Sequence, residues 1–252
     1  MMRSNLSVIT PATGCFPKNV HAFSTTRIGG VSKHPYEGKN GGEGFNLGDH
    51  VGDDPSSVAR NREILDASLP SPINFLSQVH GINVVEASSF EENRIADASF
   101  TTKKGIVCAV LTADCLPVLL SNASGTVVAA AHAGWRGLAS GILQETIKAM
   151  RETTSDEIFA WMGPAIGSTQ FEVGIDVLEV FSQLNASHCF IPTKKNGKYL
   201  ADIYSLAKLA MAQVEVFRVE GGDHCTFTDH ANFYSYRRDG TTGRIASVIW
   251  MD

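Results

Sequence analysis

From Gly105 to Leu120 the chain is apolar at nearly every position, broken by Thr112, Asp114 and Pro117. The run is too short and too interrupted to cross a bilayer. It divides instead into two strand-like segments, 106–111 and 117–120, separated by Thr112-Ala113-Asp114-Cys115. A third buried strand, 126–131, follows and ends at His132, just before a turn containing Gly134. Such strands need a sizeable core, and 43% hydrophobic against 19% charged residues in a chain of 252 supplies it. Disorder and coiled coil are excluded, and the length reads as a single domain over residues 1–252.

Charge and cysteine content narrow the class further. There are 21 Lys and Arg against 26 Asp and Glu, a formal net charge of −5, with no basic stripe. A nucleic-acid partner is therefore not expected. The first residues, Met1-Met2-Arg3-Ser4-Asn5, carry no apolar export signal or small-residue cleavage site. The Asn-x-Ser sequons at Asn5, Asn122 and Asn185 are thus not expected to be glycosylated. Five cysteines without regular spacing argue against a disulfide framework and for a reducing compartment. The expectation is a soluble cytoplasmic protein with no membrane partner.

Residues 28–49 hold seven glycines and few aliphatic side chains, which reads as a long surface loop. A helix is predicted over 56–69, with Asp54 as its cap and Pro55 in the first helical position, where a missing N–H costs nothing. Short strands at 73–76 and 83–86 flank a Gln78-Val79-His80-Gly81 turn. Leu138, Ile142, Ile147 and Met150 lie near helical spacing over 138–150. Residues 157–162 read as a strand, 175–184 and 201–214 as helices, and 234–237 with 245–250 as a hairpin around a wide loop. Strands and helices mix without strict alternation, so the expected class is α/β with mixed sheets, not a doubly wound parallel sheet.

There is no Walker loop, no GxGxxG after a strand, and no HExxH, CxxC or GxSxG motif. What remains is polar residues at strand ends. His80 in its turn, Cys115 between two apolar runs and His132 at a strand end are a possible zinc ligand set, because catalytic zinc takes three protein ligands and keeps an open position. Separations of 35 and 17 residues do not by themselves bring them together. The alternative is a buried, inert Cys115 with two structurally satisfied histidines. The run His132-Ala133-Gly134-Trp135-Arg136-Gly137 places an imidazole, an aromatic plane and a guanidinium at a strand-to-helix turn, which suits an anion such as phosphate. A plain tight turn is the competing reading. Arg27, Arg237 and Arg238 are further anion candidates, each read more readily as a surface salt-bridge residue. His188-Cys189 and His224-Cys225 read as structural, since adjacent side chains diverge.

Several of these stretches together resemble the YfiH-type laccase-domain family. They are Thr26-Arg27-Ile28-Gly29-Gly30-Val31-Ser32, Gln78-Val79-His80-Gly81, Thr112-Ala113-Asp114-Cys115-Leu116-Pro117-Val118 and Ala131-His132-Ala133-Gly134-Trp135-Arg136-Gly137. Gly163-Pro164-Ala165-Ile166-Gly167, Phe171-Glu172-Val173-Gly174, Ala201-Asp202-Ile203 and Ser235-Tyr236-Arg237-Arg238-Asp239-Gly240 continue it across nearly the whole chain. Residues 38–45 are glycine-richer than the family pattern. The resemblance implies a layered α/β/β/α fold akin to cysteine-hydrolase-like toxins, and a zinc site on His80, Cys115 and His132. Family members are described as purine nucleoside phosphorylases acting on adenosine, inosine and methylthioadenosine, with adenosine deaminase activity. An older label is multicopper polyphenol oxidase, and some bacterial members are linked to peptidoglycan precursor editing.

Phosphorolysis requires phosphate below C1′ of the ribose, stabilisation of an oxocarbenium-like centre and a donor to the departing base. The candidate substrate and phosphate contacts are Arg27, Asn46, Trp135, Arg136 and Arg237. Asp114 is the candidate proton donor, and His80, Cys115 and His132 are the catalytic metal ligands. Deamination requires an activated water at C6 of adenine. Multicopper chemistry needs many histidines, commonly in His-x-His pairs, and this chain has eight without such a pair. Copper is expected only as an alternative occupant that gives side chemistry. Two further readings are a hydrolase with Cys115 activated by His132, acting on a cell-wall precursor, and a non-catalytic nucleoside-binding protein.

Overall fold

The computed structural model describes residues 6–87 and 94–252, so the Asn5 sequon and the leader argument at residues 1–5 lie outside it. Its centre is two sheets packed face to face. The larger has strand order β13 (Arg218–Gly221), β9 (Ile158–Met162), β7 (Leu116–Asn122), β8 (Val128–Ala133), β5 (Ala98–Thr101) and β4 (Val84–Glu86). Its two outer pairs are parallel and its central pairs antiparallel, which makes it a mixed sheet. The smaller is antiparallel throughout, in the order β1 (Val8–Ile9), β2 (Val20–Thr25), β14 (Ile245–Met251) and β6 (Cys108–Thr112). A third small antiparallel sheet joins β10 (Glu172–Gly174), β12 (Lys198–Ala201) and β11 (Phe190–Pro192).

Strand alternation assigns every side chain to a layer. In β7, Leu116, Val118 and Leu120 face the helices α2 (Trp135–Ser140), α3 (Ile142–Arg151) and α5 (Ile203–Ala212), meeting Leu138, Leu143, Ile147 and Leu206. Leu119 faces the other way, with Val128 and Ala130 of β8, onto Cys108, Val110, Ile249 and Met251 of the smaller sheet. The opposite face of that sheet, with Ala109, Leu111, Ala246 and Val248, is covered by Leu65 of α1 (Pro55–Asp66) and by Phe45 and Leu47. The result is the α/β/β/α layering that the resemblance implies. No helix among the described residues is long and apolar enough to cross a membrane.

Residues 28–49 depart from the expected surface loop. They contain β3 (Ile28–Ser32), and Phe45, Asn46 and Leu47 are fully buried. The glycines make this possible by letting backbones touch. A Cβ at Gly30 would run into the Gly44 carbonyl and the Asn61 amide, and one at Gly44 into the Tyr36 carbonyl. A segment poor in aliphatics packs here through main-chain proximity, not through side chains.

Other boundaries shift for local reasons. Helix α1 begins as expected, with the Asp54 carboxylate accepting from Ser57 N and Pro55 in the first turn, but ends at Asp66. The single helix expected over 138–150 is two, because Gly141 sits at φ +103° between α2 and α3. The helix expected over 175–184 is α4 (Ile175–Val180) followed by one 3-10 turn. That over 201–214 is the shorter α5, capped by Asp202. The hairpin expected around 238–243 is absent. Tyr236–Asp239 forms a short helix, α6, with Ser235 Oγ accepting from Arg238 N, while β14 pairs with β2 and β6. Residues 73–76 form no strand, and Val8–Ile9, Val20–Thr25, Ala98–Thr101, Glu172–Gly174, Phe190–Pro192, Lys198–Ala201 and Arg218–Gly221 are strands that the sequence reading did not find.

Leu119 is fully buried in the inter-sheet layer, next to Trp161. Leu119→Ala is expected to cost about 2–5 kcal/mol of stability through transfer loss and residual cavity. Urea unfolding followed by tryptophan fluorescence measures it.

Candidate functional site

The β7–β8 register pairs Leu116 with Ala133 and Pro117 with His132. Continued one step, it sets Cys115 opposite Gly134, so Cys115 and His132 are diagonal neighbours on the inter-sheet face. The β5–β8 register pairs Ala98 with Ala131, which brings Asp97 beside His132. Asp97 is fully buried and had no place in the sequence reading, yet it organises the site. Its Oδ1 accepts from His132 Nδ1 at 2.8 Å and from His80 N at 2.9 Å. Its Oδ2 accepts from Gly81 N at 2.6 Å and Val79 N at 3.2 Å. One carboxylate thus ties three successive N–H groups of the Gln78-Val79-His80-Gly81 turn to the His132 ring, and His80 is held at φ +61°.

His80, Cys115 and His132 converge, with their ligand atoms all within 4.8 Å of one another. Cys115 Sγ lies 3.6 Å from His80 Nε2, and the two imidazoles meet edge to face at 4.7 Å between centroids. Gly134 makes room for them, since a Cβ there would stand 2.8 Å from His80 Cδ2 and 3.0 Å from Cys115 Sγ. The donor chemistry fits a soft or borderline divalent metal. It comprises one thiolate, two imidazole nitrogens, and a carboxylate behind His132 that keeps the Nδ1 proton and leaves Nε2 to the site.

The electrostatics agree with that chemistry. Burial opposes a charged Cys115, but the His132 and His80 rings outweigh it and lower the thiol to about 6. Burial likewise opposes a charged His132, but the Cys115 thiolate and Asp97 raise it to about 9. Burial works against the Asp97 charge too, and the His132 ring and backbone N–H groups hold it below the usual carboxylate range. By contrast, burial pushes Cys108 up to about 12. Burial, with Glu220 beside it, does the same to Cys15.

The three ligands lie in the wall of a cleft of about 530 Å³, with Gln78, Thr112, Asp114, Trp135, Arg136, Phe171, Tyr236, Arg237 and Arg244 among its lining residues. Trp135 and Arg136 are stacked on each other, the guanidinium 4.4 Å from the ring centroid. Arg237 is in the cleft but donates from Nη1 to the carbonyls of Gln170 and Glu172. Asp114, at φ +85°, lines the cleft and accepts from Thr226 Oγ1 at 2.6 Å and from Arg237 N at 2.6 Å, which tethers two loops. Two expectations need correction. Arg27 does not line the cleft. It is buried, donates to the carbonyls of Glu37 and His230, and lies over the Tyr234 ring. Asn46 is fully buried, with Nδ2 donating to Gly48 O and Asp53 Oδ2 and Oδ1 accepting from the N–H groups of Gly48 and Arg244. Both residues are framework. Of the other Cys/His pairs, Cys189 is buried in the core and Cys225 Sγ accepts from Gly167 N.

Two outcomes are expected from this geometry. Asp97→Asn should lower metal affinity about 10–100-fold by loosening His132 and the His80 turn, measured by competition with a chromogenic chelator. With metal removed, alkylation of Cys115 by iodoacetamide should run near its maximum at neutral pH. It should fall about tenfold per pH unit once the pH drops below the thiol's value, because the thiolate is the reacting form. Peptide mapping should find Cys108 unmodified.

Comparison with known proteins places this geometry in a family. A family model described as multi-copper polyphenol oxidoreductase laccase matches residues 21–252. The chain is 50% identical over 238 residues to the purine nucleoside phosphorylase YfiH of Escherichia coli, spanning 93% of this chain and 95% of that protein. It is 48% identical to a purine nucleoside phosphorylase of Haemophilus influenzae, spanning 94% and 96%. Among solved structures, a Neisseria meningitidis protein of the DUF152 family model superposes with a TM-score of 0.90 at 46% identity, covering 98% of this chain and 99% of that one. YlmD from Geobacillus stearothermophilus does so with 0.86 at 29%, covering 97% and 96%. The family model covers the larger sheet and the three converging ligands, and the chain belongs to the multi-copper polyphenol oxidoreductase laccase family, alongside the YfiH proteins.

Proposed function

We propose that this protein is a zinc-dependent purine nucleoside phosphorylase acting on adenosine, inosine and methylthioadenosine, with deamination of adenosine in the same cleft. The observation that carries the reading is the His80–Cys115–His132 cluster in the wall of a nucleoside-sized cleft, in a chain half identical to relatives named purine nucleoside phosphorylase. A volume of about 530 Å³ falls in the range of small-molecule sites. A zinc ion held by the two imidazoles and the thiolate supplies Lewis acidity at the cleft wall.

The chain's own residues do the rest. Trp135, Phe171, Ile166 and Ile203 give the cleft apolar walls for the purine and ribose and exclude water. Gln78 donates from Nε2 to Leu111 O and accepts at Oε1 from Leu111 N, which fixes its amide in the cleft wall. Its role is to pin the His80 turn to β6. The cationic arginines of the cleft offset the charge of phosphate. In phosphorolysis a phosphate oxygen bonds to C1′, the C1′–N9 bond breaks, and its electron pair leaves on the purine, which takes up a proton. In deamination a water oxygen bonds to C6, the C6–N bond breaks, and ammonia departs.

A three-ligand cluster is poorly matched to multicopper oxidation, and it stands alone as a metal candidate among the described residues. Copper in this set is therefore read as a source of side chemistry. One observation favours a second reading. Asp97, His132 and Cys115 line up as orienting carboxylate, imidazole and lowered-pKa thiol, the arrangement of a cysteine hydrolase. Its substrate would be an amide such as a cell-wall precursor.

The deciding experiment incubates protein of known metal content with adenosine, with and without phosphate, and resolves products by mass spectrometry. Adenine and ribose 1-phosphate should form only with phosphate, and inosine in either case. Cys115→Ala, His80→Ala and His132→Ala should each lose metal and at least about a hundredfold in rate while remaining folded by circular dichroism. Full turnover by a metal-free variant would overturn the assignment. Iodoacetamide inactivation that zinc does not prevent, with no nucleoside turnover, would favour the hydrolase.

A further inference from the structure

Three arginines line the cleft, and they differ in what their nitrogens already do. Arg237 has committed Nη1 to two backbone carbonyls. Arg136 is exposed and lies flat on Trp135. Arg244 is partly buried and donates from Nη1 to the carbonyls of Thr242 at 2.9 Å and Gly243 at 3.0 Å. Its Nε–Nη2 edge has no hydrogen-bond partner, and the guanidinium no ion pair, among the described residues. That edge is the planar two-donor face that matches an oxyanion.

The rest of the structure fixes this side chain in place. Arg244 N donates to Asn46 Oδ1 at 2.8 Å, and Arg244 O accepts from Leu47 N at 3.1 Å. The stem rests on Gly48, where a Cβ would stand 2.8 Å from Arg244 Cγ. The Tyr236 ring lies 6.0 Å from the guanidinium carbon. The β6–β14 register pairs Ile245, the chain neighbour of Arg244, with Thr112. Thr112 also lines the cleft, and its buried hydroxyl has no hydrogen-bond partner in the structure. The Arg244 backbone is held by Asn46 and Leu47, its stem rests on Gly48 and its Nη1 is held by two carbonyls, which leaves the open edge fixed in the cleft wall. Burial lowers the Arg244 pKa, and the charges of Cys115 and Asp114 oppose that shift.

We propose that the open Nε–Nη2 edge of Arg244 is the phosphate-binding group of this cleft. The assignment rests on the phosphorylase reading for its ligand and gives Arg244 the role that the sequence had suggested for Arg27. Charge-assisted hydrogen bonds in a partly desolvated wall are stronger than those of a guanidinium at the mouth. Bidentate pairing also orients the phosphate, so that one of its remaining oxygens is free to bond to C1′ as the C1′–N9 electron pair leaves on the purine.

The test separates phosphate binding from turnover. Inorganic phosphate is titrated into the metal-loaded protein by calorimetry, and initial rates with adenosine are measured at varied phosphate. Arg244→Gln should raise the phosphate Kd and KM at least about tenfold, with adenosine KM and metal content within about twofold of the wild type. Arg244→Lys, which keeps the charge and loses the edge, should restore only part of the binding. Arg244→Lys checks the subsite even if Arg244→Gln fails to fold. Wild-type protein that does not bind phosphate, or a phosphate Kd unchanged in Arg244→Lys, overturns the proposal even if adenosine is phosphorolysed. Phosphate binding that depends on Arg244 in a protein making no ribose 1-phosphate would keep the subsite and remove the phosphorylase reading.

Discussion

A carboxylate buried as completely as Asp97 is costly unless its oxygens are satisfied, and here four donors satisfy them. Three are consecutive backbone N–H groups of the turn that carries His80, and the fourth is the ring of His132. The requirement works in both directions. The charge is tolerable only with the turn and the ring in place, and the turn holds His80 in the left-handed region only because its N–H groups have an acceptor. Cys115 then completes a cluster whose thiol and imidazole are driven toward a thiolate–imidazolium pair. The chemistry of the cleft depends on this one buried anion.

The layered fold places that anion where it can act. Cys115 and His132 share the inter-sheet face with Leu119, Val128 and Ala130, so the cluster is the polar end of an apolar layer. Small residues in β8, from Ala129 to Ala133, let α2 and α3 pack closely over the opposite face. The glycine-rich segment closes the smaller sheet and, through Asn46 and Gly48, seats Arg244 at the cleft wall. Residues far from the metal ligands in sequence therefore set the shape and charge of the same cavity.

The sequence disclosed side-chain chemistry better than side-chain address. His80 stood out in its turn, Cys115 between two apolar runs and His132 at a strand end, and the family resemblance grouped them. The arginines did not sort themselves in the same way. Arg27 sits in a motif that suggests an anion contact, but its guanidinium is consumed by the Glu37 and His230 carbonyls. Asp97 lies in Ile95-Ala96-Asp97-Ala98, where nothing local marks a buried charge. Only the pairing of β5 with β8 gives it a role. The expected hairpin around residues 238–243 failed because β14 finds its partners more than a hundred residues upstream.

Local pattern alone determined the buried strands β6, β7 and β8, the Asp54-Pro55 start of α1 and the class of the fold, because hydrophobic periodicity and capping chemistry act over a few residues. It also determined which side chains are able to bind a metal. Tertiary structure decided which of them meet, which arginine keeps an open edge, and that a glycine-rich segment is buried. Those outcomes depend on strand register and on backbones that approach from distant parts of the chain, which no local pattern encodes.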